Sequence, residues 1–308
     1  MKFIRLKPVY EYPLWARNDL ALIRNKKWDG EGATWDVAAH KDLNNEVLNP
    51  EYEGLSLREL VLKYPDELMK DAKMMLKAGY IDAGKPLSIQ IHPNNEYALK
   101  NDNDLGKTES WYILKADEDA SIIVGTSLNT KQEVKKHLED NTIEDYLLSH
   151  KVSEGDFITL HPGTIHSLGK GILAFEVSTN SNVTYRFYDF NRVDANGNKR
   201  ELHIDKSLDV LRFDNEIKII HTKDMNEQCV VLDDNDFYRV VLINVDGEYY
   251  YDLNDRYVII TNVKGQLNVK ASDEETTLSL SENLLVPADK KQISIVGKGK
   301  VLLSISKV

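Results

Sequence analysis

Polar and apolar positions alternate from Leu87 to His92, so an extended segment sends Ser88, Gln90 and His92 to one face and Leu87, Ile89 and Ile91 to the other. Similar apolar runs predict strands over 111–114, 121–124, 157–160 and 173–178, and the whole stretch 86–124 is strand-like. Helical spacing appears in two inserts. Over about 56–77, Ser56 can cap with Glu59 three residues later, and Leu57, Leu60 and Val61 begin an apolar face. Pro65 then breaks the run and starts a second helix through Leu68, Met69, Met74, Met75 and Leu76. Over about 129–150, Asn129 and Thr130 can cap, Glu133, Val134, His137 and Leu138 have helical spacing, and 142–148 repeats the pattern. Residues 1–50 mix short strand signals with polar turns, 194–198 read as a loop and 204–211 as a short helix. Beyond Asp214 nine short β runs recur at regular spacing, at 230–232, 238–243, 249–251, 257–261, 265–269, 276–280, 283–286, 292–296 and 301–306. Such spacing predicts a sandwich or jelly roll. The chain is therefore expected to be mainly β, with one domain over 1–213 that carries the helical inserts and a second over 214–308.

The polar faces carry the chemistry. Gln90, His92, Glu109 and His166 sit in or beside predicted strands, and the Pro162-Gly163-Thr164 turn can aim His166 into a barrel mouth. Two neutral imidazoles, a carboxylate and an amide oxygen suit a borderline divalent ion: zinc first, with manganese, iron or cobalt as other occupants. His40, His137, His150, His203 and His221 have no partner at ligand spacing and read as surface or core residues; His161 is left undecided. No histidine follows His221, so the second β domain has no metal site of the same kind.

Composition narrows the partners. The 308 residues are 29% charged and 42% hydrophobic, which is globular, and the net charge of −11 with no basic cluster argues against nucleic acid. No apolar stretch approaches the ~20 residues that span a bilayer, and the N-terminus lacks a secretory apolar region. A single cysteine, Cys229, permits no intramolecular disulfide and fits a reducing compartment. These features place the chain in the cytoplasm, as a monomer or homodimer.

The ordered blocks PLSIQIHP, GKTESWY, GDFITLHPGTIHSLGKGI, a strand ending in Glu176, TYRFYDFNR and RELH, spread over 86–203, resemble type I mannose-6-phosphate isomerase in its short Gram-positive form. The resemblance implies a metal-dependent aldose–ketose isomerase of two cupin jelly rolls, acting on a sugar phosphate with one Zn²⁺ per chain. It maps the metal ligands onto Gln90, His92, Glu109 and His166, and the active-site arginine, lysine and strand carboxylate onto Arg186, Lys107 and Glu176. It departs from the family pattern at Trp15-Ala16-Arg17, at Gly32-Ala33-Thr34-Trp35, at MMLKAG over 74–79 and at Asn182.

Moving a proton between C1 and C2 needs a carrier and a group that stabilises enediol charge. Arg186 stays protonated and suits the second task. Glu176 is a candidate carrier, equally placed to steady a ligand, and Lys107 could serve as acid, ring-opening group or phosphate contact. Ser88, Lys107 and Arg192 are the candidate substrate contacts. Two other readings remain at this point: a non-catalytic cupin that senses a phosphorylated sugar, and a cupin oxygenase, which the Gln/His/Glu/His set disfavours.

Overall fold

The computed structural model describes residues 1–193, 196–214, 216–272 and 274–307. Side-chain alternation sorts them into three β layers. A seven-stranded antiparallel sheet runs in the order Ile219–His221, Asp156–Leu160, Glu109–Ala116, Ile172–Ser178, Lys77–Ala83, Ala33–Val37, Val9–Glu11. A five-stranded sheet in the order Tyr185–Tyr188, Ile89–Ile91, His166–Leu168, Ser121–Thr126, Leu147–Lys151 covers one of its faces. The C-terminal sheet covers the other, in the order Cys229–Asp234, Tyr238–Asp252, Gln292–Ser306, Val258–Ala271, Glu274–Leu278, with Asn283–Val286 also paired to Val258–Ala271.

One strand shows how the layers are glued. In Glu109–Ala116, Trp111 and Ile113 point toward the five-stranded sheet and pack with Ile122, Val124 and Leu168. Tyr112 and Leu114 point the other way, into a core shared with Tyr238, Val240 and Tyr257 of the C-terminal sheet. Each side chain buried in this way contributes about 1.5–3 kcal/mol, so one strand ties all three layers. The far side of the C-terminal sheet closes on itself around Val241, Ile243, Ile260, Val269 and Ile295, an interior filled with apolar side chains. This mainly β, cupin-type arrangement is the expected fold class. Among the described residues no helix is long and apolar enough to cross a membrane.

The helical inserts are shorter than the sequence suggested. The Ser56 capping box is present, but helix spans only Leu57–Lys63 and Pro65–Leu68. Lys70 then adopts φ 49°, which ends helical propagation, and Lys77–Ala83 is a fully buried strand paired on both sides. Met74 and Met75, which had helical spacing, lie in the irregular segment that leads into this strand. Thr130 likewise caps Lys131–Glu139 with Glu133 in a capping box, yet Ile143–Tyr146 is a single 3₁₀ turn and Leu147–Lys151 pairs as an edge strand. Two helices were missed, Asp19–Ile23 and Asn95–Asn101; the latter is capped by Asn94, whose side chain accepts from the Tyr97 amide. The short helix expected at 204–211 is Ile204–Val210. Of the loop expected at 194–198, Asp194 and Ala195 lie outside the described residues.

Past Asp214, six of the nine runs merge pairwise into Tyr238–Asp252, Val258–Ala271 and Gln292–Ser306. The residues between the paired runs, such as Asn244 and Asp246, belong to long strands that bend at Gly247, Gly265 and Gly297, where φ is 102°, 80° and 137°. The three-residue strand Ile219–His221 joins the seven-stranded sheet through Asp156–Ile158.

Gly79 marks the closest approach within the sheet that carries the site, since a Cβ there would lie 1.9 Å from the Thr34 carbonyl oxygen. Gly79→Ala should therefore separate Lys77–Ala83 from Ala33–Val37 and destabilise the protein by about 3 kcal/mol. The check is the urea midpoint at unchanged slope; an unshifted midpoint would mean the two strands have room to move apart.

Candidate metal centre and active site

Strand register assembles the site. His166 pairs with Gln90, and Gln90 with Arg186, so these three side chains share one face and one rung of the five-stranded sheet. In the opposing sheet Glu109 pairs with Ser178, Ser178 with Lys77, and Glu176 with Trp111. Alternation aims Glu109, Glu176 and Lys77 inward, above the apolar layer that holds Trp111 and Ile113. His92 follows the Ile89–Ile91 strand and falls on the Gln90 face, as does the buried Ser88.

One nitrogen from each of His92 and His166 and one oxygen of Glu109 lie within 4.8 Å of one another, and all three residues are buried. His92 Nε2 is 3.5 Å from one Glu109 oxygen and His166 Nε2 is 3.2 Å from the other. Both rings are oriented from behind: the Nδ1–H of His92 donates to the Val183 carbonyl and that of His166 to the Thr164 carbonyl, each at 2.9 Å. This fixes the tautomer that presents Nε2 lone pairs to the centre. Burial pulls the His92 pKa down to about 4, so the ring stays neutral. His92 Nε2 has no hydrogen-bond partner. Converging acceptors without a proton among them fit a cation, and this donor set fits a divalent metal. Gln90 adjoins the cluster: its amide nitrogen is 3.3 Å from His166 Nε2, and a half-turn of the amide would present Oε1 to the same point.

A second charge system abuts the first. Lys107 Nζ lies 2.6 Å from Glu109 and 2.8 Å from Glu176. Burial opposes its charge, but the two carboxylates outweigh burial and raise its pKa. Burial likewise works against the Glu109 carboxylate, and the Lys107 ammonium overrides it and holds the group well below the usual range. Glu176 behaves differently, because burial wins and pushes its pKa up. One carboxylate is thus kept charged and its neighbour is biased toward holding a proton.

Lys77 was not singled out from the sequence, which placed it at the end of a helix. Its ammonium lies 3.9 Å from the centroid of the Trp35 ring. Among the described residues it has no ion-pair partner, and burial with Lys107 nearby brings its pKa down to about 8. The available signal was a lone charge at every-second-residue spacing with Gly79, Ile81 and Ala83. His203, read from the sequence as a surface or core residue, brackets Arg186: its Nδ1 accepts the Arg186 backbone N–H at 3.1 Å, and its backbone N–H donates to the Arg186 carbonyl at 2.8 Å.

The candidate substrate groups spread around the mouth. Arg186 is half-buried, donates Nη1 to the Glu201 carbonyl at 2.7 Å, and has its pKa lowered by burial and by Arg200. Arg192 pairs with Asp189, donates to the Pro86 carbonyl at 2.5 Å and packs on Phe190; Arg200 meets Asp189 at 2.6 and 2.8 Å. Three guanidinium groups against the Asp189 and Glu201 carboxylates leave this rim net positive in a protein of net charge −11. His161 is exposed and stands apart from the cluster.

Facing sheets with a His/Glu/His cluster inside one end define a cupin with a candidate metal centre. A family model described as mannose-6-phosphate isomerase, cupin domain, matches residues 229–306. The chain is 31% identical to mannose-6-phosphate isomerase ManA of Bacillus subtilis (strain 168), with 97% of each chain covered. It is 32% identical to mannose-6-phosphate isomerase of Streptococcus mutans, over 89% of this chain and 88% of that one. The crystal structure of the mannose 6-phosphate isomerase from Bacillus subtilis superimposes with a TM-score of 0.91 at 27% identity, covering 99% of both chains. The chain belongs to the mannose-6-phosphate isomerase family.

Zinc should bind the folded protein and stabilise it, by about 2.7 kcal/mol at a hundredfold excess over Kd. The gain in unfolding temperature should vanish in a His92→Ala, His166→Ala double variant that keeps its β signature in circular dichroism. Full metal occupancy of that variant by elemental analysis would refute the ligand assignment.

Proposed function

We propose that this protein interconverts mannose 6-phosphate and fructose 6-phosphate at the Gln90/His92/Glu109/His166 centre, with one zinc per chain. The observation that carries the reading is Lys107, clamped between metal-ligand candidate Glu109 and proton-carrier candidate Glu176 in the interior of the barrel. A sensor would need affinity alone and gains nothing from two carboxyl groups whose proton affinities are pushed in opposite directions.

Gln90, His92, Glu109 and His166 would hold the metal, which when bound supplies Lewis-acid polarisation of sugar oxygens or a template for them. The chain's own groups divide the remaining work. Arg186, permanently charged, stabilises developing enediol oxygen charge from the Gln90 side. Glu176, with its raised pKa, takes and returns the proton between C1 and C2. Lys107 stays protonated and donates a hydrogen bond to the ring or carbonyl oxygen as the sugar opens, without giving up its proton. Lys77, with a pKa near neutrality, is a second group able to hold or release a proton at the same face. Ser88 and the Arg186, Arg192 and Arg200 rim receive the phosphate, which orients the reacting carbons from a distance. The single cysteine and the phosphorylated substrate fit a cytoplasmic setting.

Arg186→Lys keeps charge but loses the planar fork. Turnover of mannose 6-phosphate should fall about 10²-fold while metal content stays at the parent level. Near-parent turnover would remove Arg186 as the charge-stabilising group. Tight binding of mannose 6-phosphate to the parent protein without any turnover would overturn the isomerase reading in favour of a sensor.

A further inference from the structure

The C-terminal sheet has no ligand set of its own, yet two of its side chains reach across the layer interface to the backbone neighbours of site residues. Tyr238 opens the Tyr238–Asp252 strand and Tyr257 immediately precedes Val258–Ala271. Tyr238 pairs with Ser306 and Val258 with Ile305, so Tyr257 and Tyr238 flank Ser306 on one rung of the sheet and face the seven-stranded sheet together. Both are fully buried.

Tyr238 Oη lies 2.9 Å from Ser110 Oγ, which lies 2.9 Å from Thr159 Oγ1. Thr159 donates to Asp233 at 2.8 Å, and Asn235 donates to the same oxygen at 2.7 Å. A hydroxyl carries one proton, so Thr159 accepts from Ser110 and Ser110 accepts from Tyr238. The chain is polarised toward Asp233, and each bond strengthens the next. Ser110 is adjacent to Glu109 and points to the opposite face, so the depth of Ser110 in the interface sets the height of Glu109 in the barrel. Tyr257 grips a second segment: its hydroxyl accepts the Leu76 N–H at 2.7 Å and donates to the Met74 carbonyl at 2.8 Å. Leu76 directly precedes Lys77. The two tyrosine hydroxyls thus hold the chain at Ser110 and at Leu76, the residues next to Glu109 and Lys77.

We infer that Tyr238 and Tyr257 are positioning residues: through them the C-terminal sheet sets Glu109 for metal binding and Lys77 for catalysis. The Tyr238 arm needs only the metal site. The Tyr257 arm rests on the proposed isomerase activity.

The test uses Tyr→Phe variants of the full chain, which keep the buried ring and delete only the hydroxyl. Zinc affinity is read by competition with a coloured chelator, and kcat and KM with mannose 6-phosphate. Tyr238→Phe should weaken zinc about tenfold, as loss of an outer hydrogen bond behind a metal ligand does. Ser110→Ala should reproduce that loss, and the double variant should lose no more than either single one. Tyr257→Phe should leave zinc affinity within about twofold and lower kcat about tenfold at unchanged KM. Lowered unfolding midpoints with parent zinc affinity and parent kcat in both variants would overturn the inference. Strictly additive losses for Tyr238→Phe and Ser110→Ala would overturn the route through Ser110. If Tyr238→Phe fails to fold, Thr159→Val interrupts the same chain and should show the same zinc loss. A parent protein that binds zinc but does not turn over would refute the isomerase reading and leave the Tyr238 result standing.

Discussion

An ammonium group inside a barrel, held within 3 Å of two carboxylates, is the interaction on which the site depends. Without Lys107, Glu109 and Glu176 would be two buried carboxyl groups facing each other in a medium where isolated charge is strongly disfavoured. With it, Glu109 remains ionised and able to serve as a ligand, and Glu176 keeps its affinity for a proton. The geometry that allows this is two opposed sheets whose inward rungs carry ligands on one side and charges on the other. The apolar floor of Trp111, Ile113 and Leu168 beneath them excludes water and strengthens every interaction above it.

Much of that site was legible because its residues obey the simplest rule of extended chain. Ser88, Gln90 and His92 share a face at every second position, and pairing across the ladder places His166 and Arg186 beside Gln90. Lys107 and Glu176 came from the family resemblance, and their mutual ion pair is visible only once two strands are laid side by side. Lys77 was hidden because its neighbours Met74, Met75 and Leu76 have helical spacing as well as strand character. Local pattern cannot tell a short helix from a buried strand paired on both sides. His203 was hidden for a different reason, since a ring nitrogen that accepts a backbone N–H leaves no mark in spacing.

The C-terminal third shows the limit of reading turns from polarity. Six runs that looked separate are halves of three long strands, because polar and glycine residues sit in the middle of paired strands where the sheet bends. What those strands build is an apolar interior on one side and, on the other, a tyrosine-bearing face against the seven-stranded sheet. The capping box at Ser56 and a cap at Asn129 or Thr130 could be read from the sequence because a cap is a local bond, whereas helix length was decided by distant pairing.

In the proposed isomerase a metal held by His92, Glu109 and His166 and the charges around Lys107 act as one catalytic unit. The most direct measurement is a coupled isomerase assay on chelator-stripped protein titrated with zinc, using mannose 6-phosphate and following fructose 6-phosphate. The account predicts negligible turnover when stripped and recovery that rises linearly to a break at one zinc per chain. Full turnover in the stripped protein, or saturation with zinc without any turnover, would contradict it.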